Sequence, residues 1–275
     1  MQYKNLENLS SGQFKRLTGV SRNTFSRMVL IVHQEKKVSK KYKGGRYPKL
    51  NTEDTVLMML EYLREYRTYF HIAQSYGISE SAAFKNIRFA EDALIKSKDF
   101  ALPGRKALTV LKPSNTILID VTESPIERPK KKSEAILSGK KKRHTIKTQL
   151  VVEKESKKVM CTNFGKGKAH DFRVLKESGV KVAECAAVLV DSGYQGLQKL
   201  HDNTTLPYKR KKKQPLTKEQ RSHNKKLASS RVLNENVIGI LKRFKIIADR
   251  YRNRRKRFGL RFNLIAGIYN FQLGM

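Results

Sequence analysis

Along the first third of the chain apolar residues recur at intervals of three and four, the spacing of helices that bury one face. Phe14, Leu17 and Val20, then Phe25, Met28, Val29 and Val32, predict helical structure to about residue 36, with Ser21 placed to cap the second segment. The pattern breaks from Lys36 to Arg46, where lysines crowd around Gly44-Gly45 ahead of Pro48, and this stretch reads as a basic linker. Periodicity resumes from Thr52 to about Tyr66, with Val56, Met59, Leu60 and Leu63 inward. A short helix around Phe70 to Ser75 follows, then Gly77, then a helix capped by Ser79 that carries Ala82, Ala83, Ile87 and Ala90. Short helix, glycine turn and capped helix is the pattern of a helix-turn-helix, and the small Ala73 permits the close crossing it needs. Docked on a duplex, the second helix would turn Lys85, Asn86 and Arg88 toward the major groove; the plainer reading makes them its solvated face.

From Pro113 the period shortens to that of strands. Thr116–Ile119 predicts a short buried strand, Thr145–Val152 an alternating β-branched one, and Val159–Phe164 its partner across a turn at Ser156-Lys157-Lys158. A helix from about Asp171 to Glu177 precedes a buried strand, Ala186–Val190; a short helix near Leu197, a strand around Leu206–Tyr208 and a long helix from about Asn224 to Ile247 complete the prediction. The predicted fold class is α/β, a mixed sheet with helices, preceded by an all-α region. Three segments are expected: residues 1–46 as a helical arm and linker, 47–110 as the helix-turn-helix region, and 111–275 as the sheet domain.

Charge changes the picture. The 275 residues hold 59 Lys+Arg against 24 Asp+Glu, a formal net charge of +35, which points to a polyanionic partner, with nucleic acid ahead of an anionic membrane. No lipidation site, apolar leader or run of the length needed to span a bilayer is visible, so a soluble cytoplasmic protein is expected. Two cysteines, widely separated and without partners at metal spacing, indicate neither a disulfide framework nor a zinc site. Lys130–Lys132, Lys140–Arg143 (Lys140, Lys141, Lys142 and Arg143), Lys209–Lys213 and Arg252–Arg257 read as phosphate-binding runs.

Against this basic background three carboxylates stand out. Asp120 closes the apolar run Ile117-Leu118-Ile119, Asp191 closes Val188-Leu189-Val190, and Glu235 lies in the long helix among Val232, Leu233, Val237 and Ile238. Carboxylates at strand ends fall on the edge where α/β sheets place their sites, and the helix can carry the third to the same edge. Hard oxygen ligands without Cys or His suit two Mg²⁺ or Mn²⁺ ions acting on a phosphodiester. Each has a plainer reading: Asp191, followed by Ser192-Gly193, as a turn-former, and Glu235 as a solvated partner of a neighbouring cation. Glu123, Glu127, His144 and His170 are weaker candidates, because the first two lie in a proline-broken segment and the histidines lack a second ligand at fixed spacing.

The segments Asp120-Val121-Thr122-Glu123-Ser124-Pro125-Ile126, Ser138–Gln149, Ala169-His170-Asp171-Phe172, Asp191-Ser192-Gly193-Tyr194-Gln195-Gly196 and Arg231–Phe244 closely resemble DDE transposases of bacterial insertion sequences and the similar Harbinger group. The resemblance runs from about Leu50 to the end. It implies a ribonuclease-H-like catalytic domain with Asp120, Asp191 and Glu235 as catalytic and metal-holding residues, and a family pattern Arg-x3-Glu-x6-Lys met by Arg231, Glu235 and Lys242. Arg231 and Lys242 are thereby expected to contact DNA phosphates, or to neutralise the acidic cluster. A tyrosine common in the family three residues before the arginine is Ala228 here. The implied activity is metal-dependent cleavage and strand transfer of element ends by a homo-oligomer on DNA in a bacterial nucleoid; the alternatives are a catalytically inactive DNA-binding descendant and a basic RNA-binding protein.

Overall fold

The computed structural model describes residues 2–39, 48–128, 137–138, 142–210, 214–253 and 255–274. In chain order its elements are α1 (Ser11–Thr18), α2 (Arg22–Ser39), α3 (Thr52–Glu65), α4 (Tyr69–Tyr76), α5 (Glu80–Lys96), β1 (Thr116–Pro125), β2 (Leu137–Ser138), β3 (Arg143–Glu153), β4 (Val159–Lys166), α6 (Asp171–Ser178), β5 (Ala187–Leu189), β6 (Thr204–Thr205), α7 (Lys218–Leu241), α8 (Lys245–Ala248) and α9 (Phe258–Leu273). They divide into a helical unit, residues 1–101 with 242–248 and 257–275, and a sheet unit, residues 102–241 with 249–256. The C-terminal helix therefore groups with the N-terminal helices, whereas the sequence reading runs the sheet domain unbroken from 111 to 275.

In the helical unit local chemistry sets the boundaries. Ser10 and Gln13 form a reciprocal capping box at the start of α1, which ends at Gly19 in the left-handed region. Ser21 Oγ accepts the Thr24 N–H, as its position predicts. α4 ends at Gly77, whose N–H donates to the Ala73 and Gln74 carbonyls, and Ser79 Oγ then accepts the Ala82 N–H to open α5. Ala73 is buried where these helices pack. α9, which the sequence periodicity does not predict, is enclosed by apolar neighbours along most of its length, so it lacks the polar face that makes a helix visible as a period. A Cβ at Gly267 would be driven into the Phe100 carbonyl oxygen, which fixes how closely α9 approaches residues 98–100. α9 also buries Arg261, whose Nε donates to Glu91 Oε1 at 2.7 Å, while Arg257 Nε donates to Glu91 Oε2 at 3.0 Å. With its guanidinium over the Tyr62 ring, Arg261 is compensated inside the unit.

The sheet follows the order β4-β3-β1-β5-β6, with β2 pairing with the start of β3. β4, β3 and β1 are antiparallel neighbours; β5 and β6 continue from β1 in parallel. One face buries Ile117, Ile119, Val151, Cys161, Val188 and Val190 with Leu175 of α6 and Tyr194. Gly165 leaves the space into which Val174 of α6 fits, its would-be Cβ lying 2.7 Å from Val174 Cγ2. α7 packs against β1. Thr217 opens α7 with a reciprocal cap: its hydroxyl accepts the Gln220 N–H and its own N–H donates to Gln220 Oε1.

Several predicted bounds change: α7 begins at Lys218 rather than near Asn224, and the strand expected around Leu206–Tyr208 lies at Thr204–Thr205 (β6), where the residues pair with β5. β1 runs six residues past Ile119, because β3 pairs with it as far as Pro125, so Asp120 lies mid-strand. The long helix stops at Leu241 rather than Ile247: the Arg243 carbonyl accepts a hydrogen bond from Arg64, and one short turn, α8, follows.

Candidate active site

The register of β1 and β5 creates the site. β5 pairs with β1 only through Ala187, Val188 and Leu189, opposite Thr116, Ile117 and Leu118, and then leaves the sheet. Beyond Leu118 one edge of β1 is open, and Asp120 lies on that stretch. Asp191, two residues past Leu189, shares its strand parity and so follows Leu189 just as Asp120 follows Leu118. Asp191 Oδ1 accepts the Gly193 N–H at 2.7 Å and caps the turn Ser192–Tyr194, so the turn-forming role and a place at the sheet edge coexist.

Asp120 Oδ1 accepts the Val121 N–H at 2.8 Å, and its Oδ2 lies 3.7 Å from Arg231 Nη2 on α7. Burial raises the Asp120 carboxyl to about 6; the Val121 amide and Arg231 oppose the rise, and the carboxylates of Asp191 and Asp171 add to it. Asp171, at the start of α6, accepts a hydrogen bond from Lys147 Nζ at 2.7 Å. Its Oδ2 and the Asp191 Oδ1 converge on Gly193, lying 3.1 and 2.9 Å from where a Cβ would stand. Tyr194 is fully buried with no partner for its hydroxyl, and burial together with Asp120, Asp171 and Asp191 holds its phenol well above the usual range.

Asp120 and Asp191 are therefore within electrostatic reach of one another, and Arg231 faces Asp120 in the neutralising role. Glu235 is exposed on α7 one turn beyond Arg231 and does not join them; among the described residues no three His, Cys, Asp or Glu side chains are arranged to hold one metal ion. Lys242 lies in the turn just past α7 rather than on the helix. Asp171, Lys147 and Tyr194 do not stand out in the sequence, although all three lie in the motif segments that carry the resemblance: an aspartate opening a helix looks like a first-turn residue, and a lysine on a basic strand is one of many.

Among the DNA-binding candidates, Lys85 is exposed on α5, Asn86 donates back to the Ala82 carbonyl of its own helix at 2.8 Å, and the Arg88 guanidinium rests over the Phe84 ring. Lys142 and Arg143 are exposed where β3 begins, while Lys140 and Lys141 lie outside the described residues, as do Lys130–Lys132 and Lys211–Lys213. Arg257 is not free for phosphate, since Glu91 and Asp92 hold it. Glu123 accepts the Thr145 hydroxyl.

A mixed sheet carrying paired aspartates at an open edge, in a chain of this charge, fits a metal-dependent endonuclease fold, and the comparisons give the same answer. The DDE superfamily endonuclease family matches residues 119–270, and the helix-turn-helix of DDE superfamily endonucleases matches residues 48–98. The chain belongs to the DDE superfamily endonucleases. It is 48% identical, over all of its length and 99% of the relative's, to a probable transposase for insertion sequence element IS702 of Microchaete diplosiphon. To a putative transposase for insertion sequence element IS112 of Streptomyces albus G it is 27% identical, over 84% of each chain. No solved structure matches it. Among the described residues no helix is long and apolar enough to cross a membrane.

Proposed function

We propose that this chain is the transposase of a bacterial insertion sequence, which binds the element's terminal inverted repeats, cleaves DNA at their boundary and joins the freed ends to target DNA. The observation that carries the reading is the pair Asp120 and Asp191, one on β1 and the other two residues past the end of β5, where that strand leaves its parallel neighbour. A buried aspartate raised to about 6 beside two further carboxylates is a position that a divalent cation would stabilise, so the donor set suits the metal the family uses.

Asp120 and Asp191 would hold the metal, with Glu235 brought in from α7; bound there, two Mg²⁺ or Mn²⁺ ions would supply activation of the attacking oxygen and stabilisation of the leaving one. Arg231 offsets the Asp120 charge and stands where a scissile phosphate would arrive. The Asp191 turn, fixed by the Gly193 amide, keeps one carboxylate oxygen committed and the other available. Water attacks the phosphodiester and frees a 3′ hydroxyl, which then attacks target DNA; no covalent protein–DNA link is needed. Lys85 of α5, with Asn86 and Arg88, would meet the repeat, and Lys142, Arg143 and Lys242 with the neighbouring basic runs would follow phosphates. Cutting two ends together calls for a homo-oligomer on DNA, and the setting is the bacterial cytoplasm, on the nucleoid.

The test separates binding from cleavage. Asp120→Ala, Asp191→Ala and Glu235→Ala should each bind a terminal-repeat duplex nearly as the wild type does, measured by fluorescence anisotropy, and should fail to nick it. Loss of binding by all three, with folding intact, would contradict the metal-holding assignment.

A further inference from the structure

Asp191 stands where the sheet no longer supports the chain. β5 ends at Leu189, the Val190 N–H makes a last cross-strand bond to the Thr205 carbonyl at 3.3 Å, and Asp191 then caps the turn Ser192–Tyr194. A carboxylate on such a turn takes its direction from whatever holds the turn. Tyr194 holds one end, its ring buried in the core with Leu175 and Val190. The other hold comes from α6. Asp171, the first residue of that helix, brings Oδ2 to 3.1 Å from the point where a Gly193 Cβ would stand, and Asp191 Oδ1 lies 2.9 Å from the same point. The two oxygens are therefore separated by no more than those distances together, and the bare Cα of Gly193 is what lets them approach.

Two carboxylates this close repel, and a cation is needed to sustain the approach. Lys147 supplies it. Its Nζ donates to Asp171 Oδ1 at 2.7 Å, which leaves Oδ2 toward Gly193, and with the two side chains only 12% and 28% exposed the pair is little screened by water. The sheet fixes both members. Lys147 lies on β3 between its two neighbours, opposite Glu123 of β1 and Gly165 of β4. Gly165 admits Val174 of α6, and Asn163 Nδ2 of β4 donates to the Val174 carbonyl at 3.1 Å, so α6 is fastened along its middle as well as at its first residue. A chain of contacts thus runs from β3 through Lys147 and Asp171 to Gly193 and ends on Asp191.

We infer that Lys147 and Asp171 are positioning residues for the reaction: the pair keeps α6 against the Asp191 turn and so aims the Asp191 carboxylate at the metal. The inference rests on the transposase reading, in which Asp191 holds the metal. Without Lys147, like charge drives Asp171 away from Asp191, the turn loses its lateral hold, and the Asp191 carboxylate is no longer fixed in direction. Partners that orient a metal-holding side chain are typically worth about 10- to 100-fold in metal affinity, and a loss in that range is expected here. Neither residue meets the terminal repeat in this account, so affinity for the repeat stays as it is.

The experiment uses the full chain with Lys147→Met, Lys147→Arg and Asp171→Asn. The thermal unfolding midpoint is followed against Mn²⁺ concentration, which reads metal binding without catalysis, beside the Mn²⁺ needed for half-maximal nicking of a terminal-repeat duplex and the affinity for that duplex in chelator. Lys147→Met and Asp171→Asn should each need about 10- to 100-fold more Mn²⁺ in both metal assays with repeat affinity unchanged, and Lys147→Arg should stay near wild type. The double variant Lys147→Met with Asp171→Asn should lose no more than either alone, because the two residues act as one device. Wild-type Mn²⁺ dependence in a folded Lys147→Met, or losses that add in the double variant, would overturn the proposal. So would a much larger loss in Asp171→Asn than in Lys147→Met, which would make Asp171 a metal-holding carboxylate in its own right. Should Lys147→Met not fold, Asp171→Asn decides: an unaltered Mn²⁺ dependence overturns the proposal, and a loss in the stated range with Lys147→Arg near wild type upholds it. A wild type that Mn²⁺ neither stabilises nor enables to nick the repeat would instead remove the transposase reading, and the proposal with it.

Discussion

Replacing Asp120 with asparagine should remove function and add stability. In the metal-free protein the carboxyl is raised from 3.8 to about 6, chiefly by burial, so near neutral pH the folded state carries a charge that the unfolded chain would hold in water. The shift of roughly two units corresponds to about 3 kcal/mol at about 1.36 kcal/mol per unit. The Asp120 side chain is only 20% exposed, so solvent screening removes little of this. The sign follows from proton uptake: between 3.8 and about 6 the folded state binds the proton more tightly, so stability falls as pH rises through that window, and the penalty is complete above it. Asp120→Asn lifts the penalty and gives up the contact with Arg231, for a net gain of about 2 kcal/mol near pH 8 that shrinks below about 1 kcal/mol near pH 4. Urea unfolding of both proteins in chelator, followed by circular dichroism at the two pH values, measures it. Mg²⁺ should raise the wild-type midpoint and leave that of the variant nearly unchanged. A variant no more stable at the higher pH, or a gain that is the same at both, would refute the attribution to a buried charge.

Glu91→Gln should destabilise the protein by about 3–5 kcal/mol, because it leaves the Arg261 guanidinium buried beside a neutral group; a midpoint within error of wild type would show that the guanidinium finds other compensation. Gly267→Ala forces a methyl into the Phe100 carbonyl and should cost about 1–3 kcal/mol or more, read from the same unfolding curves, with an unchanged midpoint contradicting the close packing of α9. Lys85→Ala should weaken binding to the terminal repeat and lower the slope of log affinity against log salt by about 0.9; unchanged affinity and sequence preference would take α5 out of the recognition role.

The helices of the first hundred residues are legible because each buries one side: Phe14, Phe25, Met28 and Val32 point inward at helical spacing while their neighbours face water. The same logic hides α9, where nearly every position is enclosed and the one conspicuous charge, Arg261, is an interior residue. The two aspartates are legible because hydrophobic runs end on them, yet the extent of β1 is not. Its second half, Val121–Pro125, is strand because β3 pairs with it, and a pairing partner some 25 residues away leaves no local mark. The Lys147–Asp171 pair escapes for the same reason, being made by a strand and a helix that meet only in the folded sheet unit. Glu235 is legible only through its place on an amphipathic helix and through the family motif, because nothing local to α7 marks one exposed glutamate among its polar residues.

The central claim, that Asp120, Asp191 and Glu235 act with metal on DNA, is tested most directly by incubating a labelled duplex that carries the terminal repeat and its flank with wild type and with Asp191→Ala, in Mg²⁺, in Mn²⁺ and in chelator. The account predicts nicking at the repeat boundary that requires the metal and disappears in the variant. A well-folded wild type that binds the repeat and never cuts it would contradict the account and favour a DNA-binding descendant of such an enzyme.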